Sequence, residues 1–241
     1  MKLIRVIVTK LNLIALLRIT GIRLFVVKTR YRFLKKNLRV KNDGSESIGE
    51  KTLSHNLSAF EEDDSAFGCG QRMGLLIYPV VAYNTFHSID KGKQKVLIVG
   101  CRTEDDIYWM KSYGFQQTIG LDLISYSKHV LIGDIHKTEF KDESFDVVML
   151  GYMIAYTKDP LTVVKECRRI LKKGGLLGIG IDYIPDFDPN HLIPPQENTL
   201  NSTSDLKALI NQVTPNKVIF EYNHHNDAVE DFGTAVVTQC L

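Results

Sequence analysis

KVLIVGCRTEDD, residues 95–106, decides the fold. KVLIVG is a continuous apolar run ending in glycine, the pattern of a parallel strand buried on both faces. Thr103 then stands where it can cap a helix, and Glu104, Asp105 and Asp106 suit that helix's positive end. Gly114 is placed to end it. The same rhythm continues downstream. TIGLD (118–122), HVLIGD (129–134) and FDVVML (145–150) read as strands. Pro160 opens a helix that closes on Lys172, Lys173, Gly174 and Gly175, cations followed by glycine. LLGIGID (176–182) is a fifth strand and Asp205–Val213 a further helix. KVIFEYN (217–223) and TAVVTQCL (234–241) close the chain as two strands with only a polar turn between them. Alternating strands and helices predict a parallel sheet, and the last pair predicts a terminal hairpin with one antiparallel strand. The expected fold is therefore α/β: a Rossmann-like, mostly parallel seven-stranded sheet with a C-terminal antiparallel hairpin, plus a basic helical N-terminal extension.

Upstream, the charge is unevenly spread. The 241 residues carry a formal net charge of only +2, yet residues 1–42 hold twelve Lys and Arg and no acid. The remainder holds 18 basic and 28 acidic side chains. A basic arm on an acidic body implies that the arm meets something anionic. Within it Val27, Tyr31, Leu34 and Leu38 share one helical face, with Lys28, Arg32, Lys35 and Arg39 on the adjacent face. Arg30 interrupts the pattern. Such a helix can lie apolar side down on an anionic membrane surface, or pack on the α/β body. Twelve cations also suit nucleic acid, but no aromatic-interleaved basic patch supports that partner. Residues 43–90 read as a polar linker (NDGSESIGEK, 42–51) and a lid-like region. Residues 91–241 form the expected α/β domain. No run reaches the roughly 20 apolar residues a membrane span needs, and Leu11 to Leu17 is too short for a secretory signal. The expected location is cytoplasmic, peripheral at the inner membrane surface if the arm binds lipid. Cys69, Cys101, Cys167 and Cys240 have no metal-ligand spacing and read as buried reduced thiols. His224 and His225 lack companions for a zinc site, so no metal is expected.

In a sheet of this kind ligands lie at the carboxyl ends of the strands. Those ends are Gly100 to Asp106, Asp122, Asp134 to His136, Gly151 to Tyr156, and Asp182 with Tyr183. An acid closing the second strand is placed to accept hydrogen bonds from ribose hydroxyls, and Asp122 follows Gly100 at the expected separation. A nicotinamide site would need Gly-x-Gly-x-x-Gly here, and GCRTEDD does not supply it.

VLIVGC, GLDL, GDIH, FKDESFDVVML and RRILKKGGLLGIG, in this order and spacing, resemble the class I S-adenosylmethionine-dependent methyltransferases. The likeness is nearest to methyltransferase type 11, in an uncharacterised bacterial branch that GLDLISYS, FDVVMLGYMIAYTKDP and LLGIGIDY also resemble. The resemblance implies S-adenosyl-L-methionine as cofactor and assigns roles by position. Gly100 and Cys101 would let the backbone approach its methionine part. Asp122, with Leu123 beside it, would hold the ribose. Asp134 and Ile135 would contact adenine, and Gly151 and Tyr152 would border the reacting methyl group. The family's first motif departs here: Ile98 replaces an acid, and Arg102 and Glu104 replace glycines. Arg102 could pair with the methionine carboxylate and Asp106 with its ammonium, or the two could form a helix-start ion pair. The altered loop also suits a non-catalytic relative acting as a binding or scaffold module. If the acceptor needs a general base, His136, Tyr156 and Asp182 are the candidates, in that order. The expected acceptor is a small molecule, a glycan or a lipid precursor; sequence alone does not choose among them.

Overall fold

The computed structural model describes residues 13–41, 57–58, 60, 72–157, 159–181, 200–223 and 233–241. Seven strands form one sheet: β1 (Lys95–Val99), β2 (Gln117–Asp122), β3 (Val130–Ile132), β4 (Phe145–Leu150), β5 (Leu171–Ile181), β6 (Asn216–Tyr222) and β7 (Thr234–Cys240). Their order is β3-β2-β1-β4-β5-β7-β6. β1 pairs in parallel with β2 and β4, as β2 does with β3 and β4 with β5. β7 runs antiparallel between β5 and β6. The chain order reverses at β1, so its carboxyl end opens the crevice where such sheets bind ligands.

Both faces of the sheet are covered, which is why the central strands are apolar throughout. In β1, Leu97 and Val99 point into a core closed by α4 (Pro160–Ile170) and α5 (Thr203–Asn211). Val96 and Ile98 point into a second core closed by α2 (Gly74–Phe86) and α3 (Asp105–Ser112). Local chemistry fixes the helix ends. Asp159 caps α4, its Oδ1 accepting from the Thr162 N–H at 3.0 Å, with Pro160 in the first turn. Ser202 and Asp205 cap α5 reciprocally, each side chain accepting from the other's backbone N–H. Caps of this kind contribute about 1 kcal/mol each. Cys101, Cys167 and Cys240 are buried free thiols, as expected; Cys69 lies outside the described residues, as do His224 and His225.

The described residues bear on two sequence expectations. Gly74–Phe86, assigned to the lid-like region, is helix α2, and Leu76, Ile77 and Val80 are fully buried in the core beneath β1 and β4. The α/β domain therefore begins before residue 91. The arm also packs on the body. Helix α1 (Thr20–Leu34) lies along α3, and the face carrying Val27, Tyr31, Leu34 and Leu38 is the one it buries. These residues meet Ile124, Tyr126 and Phe60, with the Tyr31 and Tyr126 rings edge-to-face at 5.0 Å. A two-residue strand pair, Arg39–Val40 against Ile124–Ser125, ties the arm to the segment after β2. That stripe is part of the fold and does not face a bilayer.

Candidate functional site

The carboxyl ends of β1, β2, β3 and β4 converge on the first loop. Gly100 follows β1 with φ +73°, its N–H donating to the Leu121 carbonyl at 2.9 Å. A Cβ there would stand 2.7 Å from Met153, so only glycine admits the backbone of this turn beside the loop after β4. Arg102 also has positive φ, +51°, a conformation disfavoured for a side chain this large. Its N–H donates to Asp122 Oδ2 at 2.7 Å, and the Ile124 N–H donates to Oδ1 at 3.1 Å. The carboxylate closing β2 is thus held by two amides, one of them from the loop that Gly100 opens. Burial pushes its pKa up, and those amides oppose the shift.

The departures from the glycine motif have structural causes. Ile98 is fully buried in the core of the α2–α3 face. Glu104 is fully buried and receives a two-point contact from Arg30, Nε to Oε2 at 2.7 Å and an Nη to Oε1 at 3.0 Å. The Ser127 hydroxyl donates to Oε1 as well. Asp105, in the first turn of α3, pairs with the fully buried Arg23, Nε to Oδ1 at 2.7 Å. Arg23 also donates to the Leu17 carbonyl at 3.1 Å and lies over the Trp109 ring at 4.3 Å. Arg18 donates twice to the Ser112 carbonyl and lies over Tyr113. Three arginines of the arm therefore clamp both ends of α3, and two of them neutralise its acidic start.

Asp106, next along, is pushed up to about 8 by burial and the neighbouring Asp105 charge, against the pull of Arg23 and Arg72. Asp134, at the end of β3, is buried and engaged by His136, whose N–H and Nδ1 approach Oδ1 at 2.9 and 2.6 Å. His136 Nε2 meets the Thr157 hydroxyl. With both ring nitrogens engaged, His136 orients Asp134 in this arrangement. Ile135 is buried between the sheet and α4. Leu123 is half-buried and its carbonyl accepts from the Lys41 N–H at 2.7 Å.

The remaining site residues divide. Gly151 bridges from β4, its N–H donating to the Val99 carbonyl at 3.0 Å. Tyr152, φ +58°, turns its ring away from the crevice into the second core. A Cβ on Gly180 would come within 2.9 Å of that ring, and the Tyr152 hydroxyl donates to the Arg72 carbonyl at 2.9 Å. Its side chain is structural, and only its backbone stays beside the crevice. The Cys101 side chain likewise turns inward, and burial with the Asp122 charge holds its thiol well above the usual range. Tyr156 sits half-buried in the short turn Ile154–Tyr156 after β4. Asp182 and Tyr183 lie outside the described residues. Sequence reasoning missed Arg23, Arg30, Met153 and Thr157. Only the first two had a signal, an acid-free arm in a chain whose first loop carries three acids in a row.

The sheet order, with its terminal antiparallel strand, is a Rossmann-like fold shared with a solved S-adenosylmethionine-dependent methyltransferase. More narrowly, residues 97–179 match the family described as "Methyltransferase domain". A SAM-dependent methyltransferase from Aquifex aeolicus superposes with a TM-score of 0.51 at 16% identity, over 77% of this chain and 98% of that one. The [4+2]-cyclase SpnF superposes with a TM-score of 0.54 at 14% identity, over 79% and 93%. Likeness at this identity establishes the fold alone, and the second neighbour is named for a different chemistry. Among curated proteins, a demethylmenaquinone methyltransferase of Thermotoga maritima is 39% identical over 55 residues, 23% of this chain and 24% of that protein. An uncharacterized protein of Methanocaldococcus jannaschii is 35% identical over 52 residues, 22% and 25%. The chain thus spans about a quarter of the length of the curated relatives it matches.

Proposed function

We propose that this protein binds S-adenosyl-L-methionine at the carboxyl ends of β1–β4 and transfers its methyl group to a small-molecule, glycan or lipid-precursor acceptor. The observation that carries the proposal is Asp122, whose two oxygens are each fixed by a backbone amide opposite the Gly100 turn. A carboxylate oxygen accepts more than one hydrogen bond, so capacity is left for a ribose diol. The neighbouring groups fit the rest of the cofactor. Asp106 offers its carboxyl to the ammonium, and Arg102 is placed on the same loop for the methionine carboxylate. Asp134, oriented by His136, and buried Ile135 suit adenine. When bound, the cofactor supplies an electrophilic methyl on a positively charged sulfur. The chain's residues then have to hold donor and acceptor in line, and positioning alone can supply most of the acceleration. Tyr156 is a described candidate for taking an acceptor proton.

Glu104 leaves ordinary binding open, because it turns away from the crevice into Arg30 and Ser127. Isothermal calorimetry with S-adenosylmethionine and its demethylated product tests the proposal. Both should bind, and Asp122→Ala should weaken them by about 1–3 kcal/mol, the loss of a hydrogen bond to a buried charged group. Absence of binding at millimolar ligand overturns it.

A further inference from the structure

Helix α1 is apolar on two opposite faces. At 100° per residue, Arg23, Val27, Tyr31 and Leu34 fall on the inward side. Ile22, Phe25 and Phe33 fall on the other side, and Phe25 and Phe33 are 71% and 76% exposed. Leu13, Ile14, Leu16 and Ile19 are also exposed in the segment leading into α1. Single exposed apolar residues are ordinary, but seven large ones along one short segment mark an interaction surface. The charges around them are of one sign. Arg32 shares the outer face with Phe25 and Phe33, and Lys35, Lys36 and Arg39 follow it, all exposed. No Asp or Glu occurs between residues 13 and 41.

We propose that this outer face of α1 docks on an anionic lipid surface. The charge pattern selects that occupant. Among the described residues of the arm the apolar side chains are flanked by Arg32, Lys35, Lys36 and Arg39 and by no carboxylate, and a headgroup layer is an anionic occupant that also accepts apolar side chains. A bilayer interface accepts Phe, Ile and Leu to a depth of about 5–10 Å while its headgroups take the flanking Lys and Arg. Among the described residues no helix is long and apolar enough to cross a membrane, so the contact is one of lying on the surface. The orientation is opposite to the one the Val27–Leu38 stripe suggested. That stripe holds the helix to the domain, leaving the Phe25–Phe33 side outward.

Co-sedimentation of the full chain with phosphatidylcholine vesicles, with and without phosphatidylglycerol, tests this. The expected result is binding that requires phosphatidylglycerol and falls as salt is raised. Phe25→Ser and Phe33→Ser should each lower the partition coefficient about tenfold or more. Arg32→Ala, Lys35→Ala and Lys36→Ala should each lower it about fivefold. These positions are solvent-exposed, so the thermal midpoints of the variants should match the parent. Absence of sedimentation at low salt overturns the proposal, as does binding that Phe25→Ser/Phe33→Ser leaves unchanged. So does a species of twice the chain mass in analytical ultracentrifugation that the same pair of substitutions splits, which would make the face a contact between copies.

Discussion

Replacing Arg23 by Met removes a fully buried guanidinium while keeping most of the side chain's volume. Asp105, itself buried, loses its Nε partner at 2.7 Å and has no water to replace it. Breaking a buried ion pair from one side costs about 3–5 kcal/mol, because the surviving charge stays desolvated. The Leu17 carbonyl also loses its donor, and Trp109 loses the cation over its ring. The α3 N-terminus returns only about 0.3–1 kcal/mol to the remaining carboxylate. A net loss of about 3–5 kcal/mol is a large part of the total for a typical domain. At about 2–4 °C per kcal/mol for a chain of this size, the thermal midpoint should fall by about 6–20 °C. Scanning calorimetry with urea titration measures both. The double variant Arg23→Met/Asp105→Leu should recover most of the loss, since removing both partners of such a pair is often close to neutral. A single variant within 1 kcal/mol of the parent, or a double variant no better than the single, would refute the assignment of Arg23 as the internal counter-ion of the first loop.

Three further outcomes are expected. Arg102→Gly should raise stability by about 0.5–1 kcal/mol by relieving the φ of +51°, yet weaken S-adenosylmethionine binding in calorimetry because the guanidinium for the methionine carboxylate is gone. Asp106 holds a proton up to about pH 8, and a ligand ammonium needs it ionised. Affinity for S-adenosylhomocysteine should therefore rise with pH, by up to about tenfold per unit between pH 6 and 8, and Asp106→Asn should flatten that slope. Burial alone would raise the Glu166 pKa, but Arg169 and Thr138 bring it from 4.5 to about 2. Its contribution is present above pH 4.5 and lost as pH falls toward 2, so the unfolding free energies of the parent and Glu166→Gln should converge across that window in urea titrations.

The sheet was legible because each parallel strand buries both faces and so reads as an unbroken apolar run. The start of helix α4 was legible because Pro160 marks it chemically, but Lys172, Lys173, Gly174 and Gly175, expected to close it, lie in β5, and the helix ends at Ile170. Helix α2 was not, since GLLIYPVVAYNTF carries a proline and no polar face, and the apolar run alone suits strand or helix equally. Asp122 and Asp134 could be placed from strand ends alone. Tyr152 could not, because its ring direction follows from a left-handed backbone and from the space left beside Gly180, neither of which leaves a sequence pattern. Three of the arm's cations were not legible for a physical reason. Arginines ordinarily face water, so cations at positions 18, 23 and 30 read as a surface awaiting an external anion. The partners were in the chain itself: Asp105 for Arg23, Glu104 for Arg30, and the Ser112 carbonyl for Arg18.

That pairing has a consequence for synthesis on the ribosome. Arg23 and Asp105 are 82 residues apart. At about 5–20 residues per second, the arm waits about 4–16 s after its own translation before its partner exists. Through that interval both apolar faces of α1 are bare and its cations unmatched, in a segment with no acid between residues 1 and 42. When α3 emerges, only the inward face is claimed. The outward face is available before the domain that anchors it has been made, so a lipid surface near the ribosome could engage the arm during translation.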